Sequence, residues 1–201
     1  MSFLKFFSNE KDSEVKKYSN LHYELEKEYP HLSESEIVIT ACIAGLLARV
    51  AYVDFKLDDG EVLQIKEVLT KWNFCEKVKS EIVADMAVNH IQEMAGLENH
   101  LYVHPLRDLL TKEERFSVLQ SLFLIAASDG IVESIESEEI RLIAKGLELS
   151  NQHFIVARAE VAELTRLALK EHKTPCTKII ARAIKLLKKQ SDIKFFGHSI
   201  E

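Results

Sequence analysis

The chain has 201 residues, 47% hydrophobic and 29% charged, a composition that is globular rather than disordered and suits one folded domain of ordinary size, or at most two small ones. Six Gly and three Pro leave little punctuation, which favours long helices over many short strands. The net charge of −6 is uneven, with 17 basic and 29 acidic groups in residues 1–164 and nine and three in residues 165–201; the acidic body argues against nucleic-acid binding, which rests on phosphate neutralisation.

Residues 1–32 read as an N-terminal extension. Met1 to Phe7 is apolar with one Lys but too short for a signal peptide, so it is assigned to a terminus, with weak membrane-surface contact as the alternative. Residues 10–29 are polar, with Leu21, Tyr23, Leu25 and Tyr29 as a thin apolar stripe on a helix that ends before Pro30. The remainder, 33–201, is expected to form a single helical domain. Ser33 and Glu36 make a capping box that opens a helix through Ile37, Ile39, Ile43, Leu46, Leu47, Val50 and Val53. This helix is apolar nearly all round, so it is expected to be central. A transmembrane reading fails on its length and on Arg49.

Asp54 ends that helix, Leu57 marks a short turn, and a second helix begins near Glu61 with Asp58 as its cap. Residues 76–95 are predicted to continue as helix, with Val78, Ile82, Val83, Met86 and Ile91 inward. Gly96 to Leu110 joins this half to the next and holds His100, His104 and Pro105. Thr111 and Glu114 open a further helix through Phe116, Leu119, Leu122, Phe123 and Ile125. Beyond Asp129, Ser134 is the expected cap and Glu136 a first-turn acid. Ser150 caps a long helix running to about residue 171, and Thr174-Pro175 starts a last one through Ile179, Ile180, Ala183, Ile184 and Leu187.

Part of this pattern is written twice. A shift of 75 positions carries Ala51 to Ala126, Asp54 to Asp129, Leu57 to Val132 and Glu61 to Glu136, and then Ile65 to Ile140, Val68 to Ile143, Trp72 to Leu147 and Phe74 to Leu149. The register holds without a gap, which points to a duplicated supersecondary unit. Residues 37–75 and 112–150 are therefore expected to be two helix–turn–helix units. The fold expected is an all-α, compact multi-helix bundle built from these units, with extra terminal helices.

The repeated string, Ala, then Asp three residues on, an apolar residue, Glu and Ile, resembles the motif of the TerB-like family, which includes tellurite-resistance proteins and a co-chaperone region. Asp129-Gly130-Ile131-Val132 with Glu136, Ile140 and Gly146-Leu147-Glu148-Leu149-Ser150 is the closer copy; the first has Phe55 where the family carries Gly, and a late Gly60. The resemblance covers residues 33 to 170. It implies an all-helical bundle with an acidic surface cluster and a role in stress response or assembly rather than catalysis.

The acids are the leading candidate site. Asp54, Asp58, Glu61, Asp129, Glu133 and Glu136 (with Asp59) would share a surface if the two copies pair, and oxygen-only ligands suit Ca²⁺ or Mg²⁺. Their spacing is not that of an EF-hand, and capping and turn formation account for the same acids without a ligand. Other metal chemistries fare worse. The single Glu28-to-His31 motif is broken by Pro30, which leaves no paired di-iron motif. His100 and His104 have helical spacing but no nearby third ligand for zinc, and His172 and Cys176 straddle Pro175. Cys42, Cys75 and Cys176 show no metal-type spacing and fit a reduced, cytoplasmic compartment, with Cys42 in the core. No nucleophile motif, P-loop or dinucleotide fingerprint is present. Two functions are expected on this basis. One is a non-enzymatic interaction module whose acidic inter-repeat surface binds a divalent cation or a basic protein partner. The alternative is a membrane-peripheral adaptor using the basic face Lys178, Arg182, Lys185 and Lys189 of the last helix. A homo-oligomer is compatible with either.

Overall fold

A computed structural model describes residues 20–53, 65, 66, 69, 80–127 and 131–170. All regular structure among them is helical: α1 Asn20–Glu28, α2 Glu34–Ala51, α3 Ser80–Asn89, α4 Ile91–Gly96, α5 Asn99–Leu109, α6 Lys112–Ala126, α7 Ser134–Gly146 and α8 Asn151–Lys170. Ile65, Lys66 and Leu69 are also helical.

Helix α2 starts where its sequence says. Glu36 N–H donates to Ser33 Oγ at 3.3 Å, and Glu36 Oε2 accepts from Ser33 N–H at 2.8 Å. Two of the four unpaired N–H groups of the first turn are thereby satisfied. Thr111 and Glu114 repeat the device for α6 at 3.3 and 2.7 Å. From Ile37 to Ala51, only Arg49 of α2 escapes burial, and the helix packs against α1, α3, α4, α5, α6 and α7. It is the central helix, as its pattern predicts. Helix α6 is buried from Ser117 to Ala126 and packs on α2, α7 and α8. Its polar interior residues are satisfied: Ser117 and Ser121 donate to carbonyls four residues back, and Gln120 donates to Glu160 of α8 at 2.7 Å.

The repeat is visible at the helix ends. Tyr52 N–H closes α2 on the carbonyls of Ala48 and Val50, and Ala127 N–H closes α6 on those of Phe123 and Ile125. Each of these residues is the 75-residue image of its counterpart. Burial follows the same offset: Ile43 and Val118, Leu47 and Leu122, Val50 and Ile125, and Ile65 and Ile140 are all in the core.

Four details differ from the sequence reading. Leu21 and Leu25 of α1 and Tyr29 just beyond its end are buried, but Tyr23 is 67% exposed; spacing of four keeps the first three on one face and rotates Tyr23 away. The helix expected over 76–95 is broken at His90, whose N–H bonds to both Met86 and Ala87 carbonyls before α4 begins. The connector after Gly96 is itself a helix, α5, which holds Pro105 in its interior. The missing N–H costs about 3 kcal/mol, and burial of Tyr102, Val103 and Leu106 offsets it. Finally, Glu133 rather than Ser134 caps α7.

Helices α2 and α5 approach each other closely at Gly45. A Cβ on Gly45 would stand 2.3 Å from Tyr102 Cε1, so the ring lies against bare backbone. Its hydroxyl crosses to α4 and donates to Met94 O at 2.7 Å. Gly45→Ala is therefore expected to destabilise the protein by about 1–3 kcal/mol through overpacking, although Ala is the better helix former by about 1 kcal/mol. Gly96→Ala is the control, since a Cβ there meets nothing within 4 Å. Urea unfolding should show opposite signs for the two; equal effects would mean that the Tyr102 contact imposes no constraint.

Burial pushes the Cys42 thiol and the Tyr102 phenol well above their ordinary values of 9.0 and 10.0, with Arg49 opposing the shift at Tyr102. The folded chain then keeps protons that the unfolded chain releases. The associated stability is complete below pH 9.0 and falls as pH rises beyond it, at a limiting slope of about 1.4 kcal/mol per pH unit for each group. Cys42→Ala should shift the onset of this loss towards that of the phenol in urea titrations between pH 8 and 11. An onset unmoved by the substitution would show that the buried thiol contributes none of it.

Candidate functional site

In the sequence the two copies of the repeated acids follow the equivalent ends of α2 and α6. Of the six candidate ligands, Asp54, Asp58, Glu61 and Asp129 lie outside the described residues, as do Lys178, Arg182, Lys185 and Lys189 of the basic face. Glu133 and Glu136 are described and meet at the start of α7. Glu133 has the extended backbone of a cap (φ −68°, ψ 160°), and its N–H donates to Glu136 Oε2 at 2.8 Å. Glu136 thus holds the turn by the geometry that Glu36 and Glu114 use elsewhere, and its charge sits favourably at the positive end of the helix dipole. Ser137 and Ile140, on the next turn, are buried and fix the helix beneath the acids. Among the described residues no group of three His, Cys, Asp or Glu side chains is arranged to hold a metal ion. His100 and His104 lie one turn apart on α5 with ring centroids 5.8 Å apart, and His100 Nδ1 is 3.0 Å from Glu98.

The far end of α7 is also built from charge. Leu149 N–H reaches back to Ala144 O and Glu148 N–H to Lys145 O, the Schellman closure, in which the left-handed position usually belongs to Gly. Here Glu148 occupies it, with φ 55°. Arg115 offsets the exposed carbonyls and the misplaced acid: it donates to Leu147 O at 2.6 Å and stands 3.8 Å from the Glu148 carboxylate. Gly146, part of the family-like string, serves packing instead, since a Cβ there would meet Val103 of α5 at 2.7 Å.

A second polar centre joins the two halves, and the sequence reading did not assign it a role. Arg49, the lone charge in the interior of α2, donates through Nε to Glu139 of α7 at 2.5 Å. Its Nη1 donates to Ala95 O at 3.0 Å and to Leu97 O, the free carbonyls at the end of α4. Asn99 adds a donor to the same Glu139 oxygen at 2.8 Å. The two charged side chains are only 25% and 13% exposed, so each has lost most of its hydration and depends on the other. Beside them opens a cleft of about 180 Å³ lined by Arg49, Tyr52, Val53, Gln92, Ala95, Gly96 and Glu139. The available signal was an isolated Arg in an otherwise apolar helix, a residue that is buried only when paired.

Breaking this pair from one side strands a half-buried charge. Arg49→Met and Glu139→Gln are each expected to cost about 3 kcal/mol, the lower end for buried pairs because some solvent access remains. The double variant should cost clearly less than the sum. Strict additivity in urea unfolding would mean that the two side chains act independently.

Compared with known protein families, the chain matches the family described as tellurite resistance protein TerB over residues 40–159, more than half its length. No curated protein and no solved structure matches it.

Proposed function

The chain belongs to the TerB family, and from that premise we propose that it is a stress-response module that acts by binding rather than turnover. Its acidic turns recruit a divalent cation, or a basic segment of a partner protein. The observation that supports this reading is the equivalence of the two helix ends that precede the repeated acids. Helices α2 and α6 pack together and end on the same hydrogen bonds at a 75-residue offset. Each is followed in the sequence by one copy of the repeated acidic stretch, 54–61 or 129–136. The acids Asp54, Glu61, Asp129 and Glu136 are kept between the copies. Carboxylates gathered on one surface repel one another, and a cation or a cationic side chain relieves that repulsion. Oxygen ligands alone favour Ca²⁺ or Mg²⁺ over softer metals.

The test is thermal unfolding with Ca²⁺, Mg²⁺, Mn²⁺, Zn²⁺ and chelator. A cation present at a hundred times its dissociation constant stabilises the fold by about 2.7 kcal/mol, a rise in melting temperature of roughly 5–10 °C for a chain of this size. Asp129→Asn should abolish the shift, because the amide keeps its capacity to cap a turn but not its charge. With no shift for any divalent ion, the cation is dropped and the acidic turns remain as a surface for a basic protein partner.

A further inference from the structure

The cleft beside Arg49 is lined by charged groups whose hydrogen-bonding capacity is incompletely used. Nε and Nη1 of Arg49 are committed to Glu139 and to the carbonyls of Ala95 and Leu97. These bonds pin the guanidinium plane and leave the two N–H groups of Nη2 unspent. On Glu139, both bonds fall on Oε1, which leaves Oε2 as an acceptor. Gln92, exposed at the rim, adds an amide. Among the described residues the rest of the wall is Tyr52, Val53, Ala95 and the bare backbone of Gly96, where a Cβ would meet nothing within 4 Å.

We propose that this cleft, at the junction of α2, α4 and α7, binds a small neutral carboxamide carried on a ring-sized apolar body. Among the described lining residues the charges of Arg49 and Glu139 cancel, so these residues give no net preference for an anion or a cation, and burying an unpaired ligand charge there would cost more than it returns. A donor beside an acceptor instead matches a group that presents a carbonyl beside an N–H, as a carboxamide does. The carbonyl takes Arg49 Nη2 and the amide N–H takes Glu139 Oε2. The volume of about 180 Å³ is slightly larger than an engineered cavity of about 150 Å³ that holds benzene, which limits the body to one ring or a short branched chain. So few atoms support a dissociation constant of roughly millimolar order.

The experiment titrates the full chain with three probes of one shape, benzamide, benzoate and benzylammonium, and follows backbone and Arg Nε–H resonances by NMR. Benzamide is expected to give saturable shifts at Arg49 Nε–H and at the amides of Val53, Gln92, Ala95 and Gly96. The two charged probes should bind at least about tenfold more weakly. Gly96→Leu should fill the cleft and abolish the benzamide shifts while leaving the protein folded, because the added atoms enter open space. Arg49→Lys keeps the charge but loses the planar fork; where it remains folded by its amide spectrum, it should weaken benzamide at least about tenfold. The proposal is overturned if benzamide shifts do not saturate, if they persist in Gly96→Leu, or if benzoate binds as well as benzamide. It is also overturned if Gly96→Leu unfolds the chain, since the cleft would then be filled by the protein itself.

Discussion

Helix α2 has almost no solvent face, and this one fact dictates the arrangement of its neighbours. A helix apolar on all sides must be covered on all sides, and six other helices supply the cover. Their distances from it are set by the smallest side chains. Gly45 lets the Tyr102 ring lie against backbone, which draws α5 close enough for the phenol to reach Met94 O on α4. The neighbours are therefore linked to one another as well as to the centre. Gly146 repeats the logic at the α5–α7 contact, where Val103 fills the space a side chain would take. Helix α5 is consequently held from both sides by glycines on its partners, which helps it persist as a helix around Pro105.

What the sequence made legible were the features whose physics is local. Ser33 with Glu36 and Thr111 with Glu114 are complete capping devices within four residues, and both close as written. The stretch Ile37 to Val50, apolar but for Thr40 and Arg49, could only be central. The 75-residue repeat was legible because burial constrains the same positions in each copy, from Ile43 and Val118 to Ile65 and Ile140. The misreadings fall where tertiary contacts decide. His90 interrupts a helical pattern without Gly or Pro. There a side chain that faces Glu24 of α1 at 3.1 Å and Glu93 of α4 at 3.5 Å marks the break, and no local propensity encodes those partners. Glu133 takes the cap position in preference to Ser134 because Glu136, three residues on, can then return to its N–H.

The candidate acidic site was legible only as composition and spacing. Glu136 illustrates why that is insufficient. Its carboxylate performs the service for α7 that Glu36 performs for α2 and Glu114 for α6, so its position alone carries no information about a ligand. Arg49 and Glu139 are the reverse case. Neither has a local partner, their separation of 90 residues hides the pairing from any periodicity, and yet their burial makes them depend on each other.

The duplication sharpens that contrast. Under the 75-residue offset Arg49 corresponds to Leu124, which is buried in α6, and Glu139 corresponds to Gln64. A charge pair crossing between the copies could have been written twice; it is written once, and the reciprocal positions are neutral. The two ends differ in burial: the Arg49 side chain is a quarter exposed whereas Leu124 is 3% exposed, so a charge at the second position would meet a larger desolvation cost. The asymmetry also separates the two features. The acids Asp54, Glu61, Asp129 and Glu136 are what the copies share, so they belong to the unit that was duplicated. The Arg49–Glu139 pair bridges the two copies, so it is a property of the assembled domain and of neither copy alone.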